Sequence, residues 1–170
     1  PRRLEVTVTP DQAGEKIDTL LRRELRLSGT VIRRVKWLDD GILLDGMRVT
    51  TGHRPAAGQV LSVRVADPDG QGDMVPTPGP LDIVYEDGDL LVLNKPAGLA
   101  MHPMSTDLAA PNLAGALVAY LGEGTVPHFV SRLDKGTSGL LIAAKSGYVH
   151  ELLRRALHSE ELRREYRALA

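Results

Sequence analysis

Between residues 67 and 80 the chain reads Asp-Pro-Asp-Gly-Gln-Gly-Asp-Met-Val-Pro-Thr-Pro-Gly-Pro. Four prolines and three glycines bar a regular helix or a central strand from this tract. A chain of 170 residues interrupted here divides into a module over 1–66 and another over 81–170, with 67–80 as a partly extended linker. The charges divide at the same place. Residues 1–66 carry 12 Lys+Arg against 8 Asp+Glu, a net of +4, and residues 67–170 carry 9 against 14, a net of −5. The whole-chain net charge of −1 therefore conceals a basic module suited to a polyanion.

With 42% hydrophobic and 25% charged residues each module can build an ordinary core, which excludes a disordered or fibrous chain. The absence of cysteine excludes disulfides, thiolate catalysis and Cys-ligated zinc. The longest uncharged run, 108–122, contains Pro111 and Asn112 and falls short of the ~20 apolar residues of a membrane helix. Pro1, Arg2 and Arg3 lead into an alternating Leu4-Glu5-Val6-Thr7-Val8 in place of an apolar signal core. A cytoplasmic address is the expectation.

In the first module Ile17, Leu20, Leu21 and Leu25 share a helical face, and Ser28, a suitable N-cap, opens a second helix with Val31, Ile32, Val35 and Leu38. Gly41 ends it. Asp45-Gly46 between Ile42-Leu43-Leu44 and Met47-Arg48-Val49 predicts a two-residue hairpin, and 59–65 predicts another strand. Arg22, Arg23, Arg26, Arg33, Arg34 and Lys36 crowd into fifteen residues with only Glu24 among them. Such a cluster neutralises several phosphates or simply solvates a helical face.

The second module opens with strand candidates at 81–85 and 90–93 around the Asp-Gly turn of 86–89. Lys95-Pro96-Ala97-Gly98 through His102-Pro103 must leave regular pairing and form a shaped loop. Helices over 112–121 and around Val149, Leu152, Leu153, Ala156 and Leu157 would cover the sheet. The most informative string is Val130-Ser131-Arg132-Leu133-Asp134-Lys135-Gly136-Thr137-Ser138-Gly139-Leu140. It sets one carboxylate between a strong cation and a Thr-Ser-Gly turn, just before an uncharged run that reads as a buried strand. In that setting a carboxylate stays ionised through charge pairing and hydrogen bonds, or it merely caps a turn.

Two families are resembled. The pattern Ser28, Arg33, Arg34, Lys36, Gly41, Leu43, Leu44, Gly46, Arg48 resembles the alpha-L (S-four-like) RNA-binding domain, which implies RNA contacts through Arg22, Arg23, Arg26, Arg33, Arg34, Lys36 and Arg48. With six aromatic residues in the whole chain, shape and phosphate contacts would dominate over a stacking sheet. The string from Arg132 to Leu140 resembles the signature of the RluA-type pseudouridine synthases, His-Arg-Leu-Asp-x-x-Thr-Ser-Gly-Leu, with Ser131 where His is usual. Asn94 through Leu99 with His102-Pro103 is similar to that family's Lys-Pro-x-Gly loop, and Glu165-Tyr166-Arg167-Ala168 to its Lys-x-Tyr-x-Ala strand.

The resemblance implies an α+β chain: a helix-helix-hairpin RNA-binding domain, then the N-terminal part of a mixed, mostly antiparallel synthase domain. It implies isomerisation of uridine to pseudouridine in structured RNA, with large-subunit ribosomal RNA the family default, and no metal, nucleotide or other cofactor. Asp134 is the implied catalytic carboxylate, nucleophile or base. Arg132 engages the RNA as the target base is flipped out. Tyr166 stacks on the uracil, or is a core tyrosine on a strand. Lys95 reads equally as a phosphate contact or a solvated turn residue.

The family's later Gly-Arg-x-His-Gln-x-Arg segment has no counterpart before Ala170, so a truncated catalytic domain is the expectation, either a fragment of a longer protein, inactive by itself, or a natural truncation, with exposed strand edges that favour self-association. The competing reading is a non-catalytic RNA-binding protein with a degenerate synthase scaffold. A Ser138–His150 hydrolase lacks the Gly-x-Ser-x-Gly elbow, and a glycosidase lacks a second placed carboxylate. His150 and His158 lack metal-motif spacing, and Gly70-x-Gly72 lacks a third glycine.

Overall fold

The computed structural model describes residues 2–65, 74–103, 107, 109–122, 125–159 and 161–168. The linker expectation for 67–73, Gly70 and Gly72 included, lies outside the described residues. The chain separates into two compact units, Pro1–Ala66 and Asp67–Ala170.

In the first unit β1 (Arg3–Thr7), α1 (Ile17–Arg23), α2 (Gly29–Val35), β2 (Ile42–Leu44), β3 (Met47–Arg48) and β4 (Val60–Arg64) follow in order. Its sheet runs β1-β4-β2-β3, with every pairing antiparallel. Ile17, Leu20, Leu21, Val31, Ile32 and Val35 bury one face of each helix, and Ile42, Leu44, Leu61 and Val63 are equally buried on the strands. Ser28 caps α2 by accepting from the Val31 N–H. Helix α1 is shorter than its apolar pattern. Arg26 adopts a left-handed backbone (φ 51) and Leu27 N–H returns to the Leu21 carbonyl, so Leu25 lies beyond the last turn, half-buried. Asp45 (φ 48) and Gly46 (φ 80) both sit at positive φ, the mirror-image turn whose twist matches a two-residue hairpin.

The second unit contains β5 (Ile83–Glu86), β6 (Leu90–Lys95), α3 (Leu113–Leu121), β7 (His128–Phe129), β8 (Gly139–Ala144) and α4 (Gly147–His158). The sheet order is β5-β6-β8-β7, again antiparallel in each pairing. Alternation sends Leu91, Leu93, Leu141 and Ala143 to one face, where they pack with Leu113 and Leu117 of α3 and with Met101 and Leu133 from the loops. Asn112 caps α3 through the Gly115 N–H at 2.8 Å. Thr77 donates its N–H to the Gly115 carbonyl at 3.0 Å, so the later part of the proline-rich tract lies on α3. A Cβ at Gly115 would come within 2.8 Å of Thr77.

Helix α4 carries the expected apolar face, with Val149 buried and Leu152, Leu153, Ala156 and Leu157 half-buried. One expectation is corrected. The strand that the resemblance implies around Tyr166 is not formed, since 163–168 carry neither strand nor helix and Tyr166 is 62% exposed. Strands β6 and β8 have a neighbour on each side, so this segment could pair only with the outer strands β5 or the two-residue β7.

Candidate active site

Strands β6 and β8 pair with Lys95 opposite Gly139, so the loop leaving β6 and the loop entering β8 emerge at the same end of the sheet. The Gly98 N–H, at a positive φ of 89, donates to the Lys135 carbonyl at 2.7 Å and joins the two loops. On the other side, Leu113 and Ala114 N–H groups bond to the carbonyls of Ala100 and Met101, which fixes the first loop to the start of α3.

Lys95 is neither of the things its sequence suggested. It is fully buried, with 0% exposure, and its Nζ donates to the carbonyls of Leu99 at 2.8 Å, Pro96 at 3.0 Å and Lys135 at 3.3 Å. An ammonium has three donors and no acceptor, and three carbonyls use all of them. Burial pulls its pKa below the usual lysine range, while the nearby charge of Asp134 acts in the opposite sense. The residue is an internal staple between the two loops.

Around the stapled turn the side chains alternate. Val130 and Leu133 are buried, Ser131 is half-buried, and Arg132, Asp134 and Lys135 are exposed. Leu133, anchored in the core, thus presents Arg132 and Asp134 to solvent on either side of itself. The Asp134 carbonyl accepts from the Thr137 N–H at 3.0 Å, closing the turn through the Thr-Ser-Gly segment. His102 joins this surface. Its pKa is lowered by partial desolvation and then by the positive charge of Arg132, and its ring meets Phe129 edge-on at 5.7 Å. No spacing in the sequence signals the proximity of His102 to Arg132, because it arises from the folding back of two loops.

Tyr166 lies with a different part of the turn. A cavity of about 380 Å³ is bounded by Ser131, Leu133, Val92, Leu140 and Ile142 on one side and by Leu157 and 162–166 on the other. Tyr166 therefore lines the same cavity as the two neighbours of Arg132, whereas Asp134 and Arg132 do not line that space. Among the described residues no cluster of three or more His, Asp or Glu could hold a metal ion.

The basic residues expected to contact RNA lie in the first unit, and acids partly neutralise them, Glu24 from within the cluster and Asp18, Glu15 and Asp39 from outside it. Arg22 pairs with Asp18 at 2.7 Å, Arg23 with Glu24 at 2.6 Å and Glu15 at 3.0 Å, and Arg48 with Asp39 at 2.8 Å. Arg33 donates to the Thr30 hydroxyl, Lys36 lies over the Trp37 ring, Arg34 is half-buried and Arg26 is exposed. Exposed pairs of this kind are worth only about 0–1 kcal/mol, so phosphate oxygens can displace their carboxylates.

No helix among the described residues is long and apolar enough to cross a membrane. Residues 89–170 match the family model for RNA pseudouridylate synthase. An RNA pseudouridine synthase of Bacillus subtilis (strain 168), YlyB, is 34% identical over 98% of this chain and 56% of its own length. A ribosomal large subunit pseudouridine synthase D of Yersinia pestis is 35% identical over 98% of this chain and 52% of its own. The chain spans about half the length of the curated relatives it matches. The solved human RNA pseudouridylate synthase domain containing 4 aligns with 47% of this chain and 30% of its own, at 28% identity and a TM-score of 0.35.

Proposed function

We propose that the chain belongs to the RNA pseudouridylate synthase family whose model residues 89–170 match, and that it isomerises uridine to pseudouridine in structured RNA, with Asp134 as its essential carboxylate. The observation that carries this reading is the stapled pair of loops: a buried Lys95 ties the loop leaving β6 to the loop that carries Asp134, so the carboxylate is held on a rigid base while facing solvent. The first unit, basic and built of two helices and a hairpin, is read as the alpha-L RNA-binding domain that delivers the substrate. Large-subunit ribosomal RNA is the proposed substrate, in line with the printed description of the Yersinia relative, and the cytoplasm is the proposed site of action.

The reaction breaks the bond between N1 of uracil and C1′ of ribose, turns the base, forms a bond between C5 and C1′, and releases the C5 proton while the freed N1 takes up a proton. No redox partner is required. A uridine in a stem must leave its stack before a carboxylate reaches C1′, and Arg132, two residues from Asp134 and also exposed, would hold the flanking phosphate. Asp134 then acts either as the nucleophile at C1′ or as the base that permits a glycal intermediate. Tyr166 is proposed to stack on the displaced uracil, which requires 163–168 to close toward the Arg132 turn.

A non-catalytic RNA-binding scaffold is the second reading, favoured by the separation of Asp134 from the cavity that Tyr166 lines. The two are told apart by treating RNA transcripts with the gene product that carries this sequence, digesting them to nucleosides and measuring pseudouridine by chromatography. Pseudouridine formed by the protein and not by its Asp134→Asn variant supports the synthase. RNA bound and left unmodified supports the scaffold.

A further inference from the structure

The sole tryptophan of the chain, Trp37, is 74% exposed on the turn that follows α2. Tryptophan is among the most buried residue types on average, and an open indole on a small domain calls for a reason. The local fold holds it in place. Leu38 N–H bonds to the Val35 carbonyl and Gly41 N–H to the Leu38 carbonyl, and Gly41 is so tightly packed that an added Cβ would lie 1.8 Å from the Val35 carbonyl oxygen. The 36–41 turn is therefore rigidly seated on α2, and the indole does not fold back into the core.

The surroundings of the ring are cationic. Lys36 Nζ lies 4.8 Å from the ring centroid, within the range of a cation–π contact. Arg33 and Arg34 stand on the last turn of α2. The two acids that follow Trp37 are already engaged, Asp39 by Arg48 and Asp40 by Arg3 and Arg64. An indole flanked by cations whose neighbouring carboxylates are matched is the combination that holds single-stranded nucleic acid, since the cations track phosphates and every base offers a π-face.

We propose that Trp37 is a stacking site for an unpaired nucleobase, by which the first unit distinguishes RNA with a loop, bulge or splayed end from a continuous duplex. The proposal rests on the reading of this unit as RNA-binding and adds to it a preference that phosphate contacts alone do not supply. Lys36 covers part of the indole and would contact the phosphate of the stacked nucleotide, while Arg33 and Arg34 would engage the strand leading to it.

Because Trp37 is the only tryptophan, its fluorescence excited at the red edge reports this site alone. The full chain is titrated with a stem-loop RNA bearing a uridine-rich loop and with the same stem as a blunt duplex, each end-labelled so that anisotropy reports binding independently. The stem-loop should quench Trp37 and the duplex should not. Trp37→Ala should weaken stem-loop binding about 5- to 150-fold, the range for loss of one base–aromatic stack, leave duplex binding unchanged, and be largely rescued by Trp37→Phe. Binding of both RNAs without quenching, or equal loss for both in Trp37→Ala, overturns the stacking site and leaves the RNA-binding reading intact. No binding of either RNA overturns both. Quenching that grows with protein concentration before RNA is added marks Trp37 as a protein contact and also overturns the proposal.

Discussion

Replacing Lys95 by Met removes the ammonium while nearly preserving the stem that fills its site, and so tests the staple with little change in packing. Three hydrogen bonds are lost, but the Lys135 carbonyl still accepts from Gly98. The carbonyls of Pro96 and Leu99 are left without this donor, and an orphaned buried acceptor costs about 1–3 kcal/mol, or about 2–6 kcal/mol for two. Against this stands relief of the penalty of burying an ammonium, which amounts to several kcal/mol when pairing is imperfect. With all three donors used here, the staple should win, and the second unit should lose about 2–4 kcal/mol. All four tyrosines lie in the second unit and the single tryptophan in the first. Urea unfolding followed by near-ultraviolet tyrosine circular dichroism and, separately, by tryptophan fluorescence therefore resolves the two. With a urea slope of about 1–3 kcal/mol/M for a small domain, the tyrosine transition should move down by about 1 M or more while the tryptophan transition stays in place. A tyrosine transition that holds or rises would show that the cost of burying the charge exceeds the worth of its three bonds, and Lys95 would then not be a staple.

Other consequences are checked as simply. Gly41→Ala places a methyl group against the Val35 carbonyl oxygen, 1.8 Å away in the present backbone, and should destabilise the first unit by about 3 kcal/mol, seen as a lowered tryptophan transition in urea. Stability should fall on acidification in two stages. The folded pKa values of His102 and His150 are both held below the ordinary 6.5, chiefly by desolvation and then by Arg132 and His128 respectively, so the unfolded chain takes up their protons first and stability drops as pH falls below 6.5. Glu86, lowered below 4.5 by its bonds from Lys145 and Tyr120, contributes stability above its ordinary pKa that is lost as pH falls through the lowered value. Urea midpoints measured across pH should be flatter near neutrality in His150→Gln. The sheet also leaves Val84, Tyr85 and Leu140 more than half exposed, and this apolar surface should make the isolated chain self-associate. A monomer at all concentrations by sedimentation would contradict that.

What the sequence makes legible here is local. The Asp45-Gly46 turn and the Ser28 cap follow from short-range rules, and their geometry is as those rules require. The early end of α1 does not, because it depends on Arg26 entering a left-handed conformation that arginine rarely adopts. Lys95 is the clearest failure. In one dimension it is a charged residue before Pro-Ala-Gly and reads as exposed, and only the register that sets it opposite Gly139, with three carbonyls gathered around it, explains why it is inside. The basic cluster reads as stronger than it is. The Asp18–Arg22 pair has the i, i+4 spacing of a helical ion pair and was readable, whereas the Asp39–Arg48 pair needed the hairpin to fold back. At the candidate site the order Arg132, Leu133, Asp134 already implies one buried residue between two exposed ones, but the placing of Tyr166 in one cavity with Ser131 and Leu133 is a tertiary matter.

Chemistry by Asp134 on a bound uridine is read out by single-turnover tritium release from RNA containing 5-tritiated uridine. With the gene product that carries this sequence in excess over RNA, and binding followed in parallel by anisotropy, the wild type should release tritium to water. Asp134→Asn should bind the RNA equally well and release none. Release that persists in Asp134→Asn, or RNA bound by the wild type with no release at all, would contradict that chemistry.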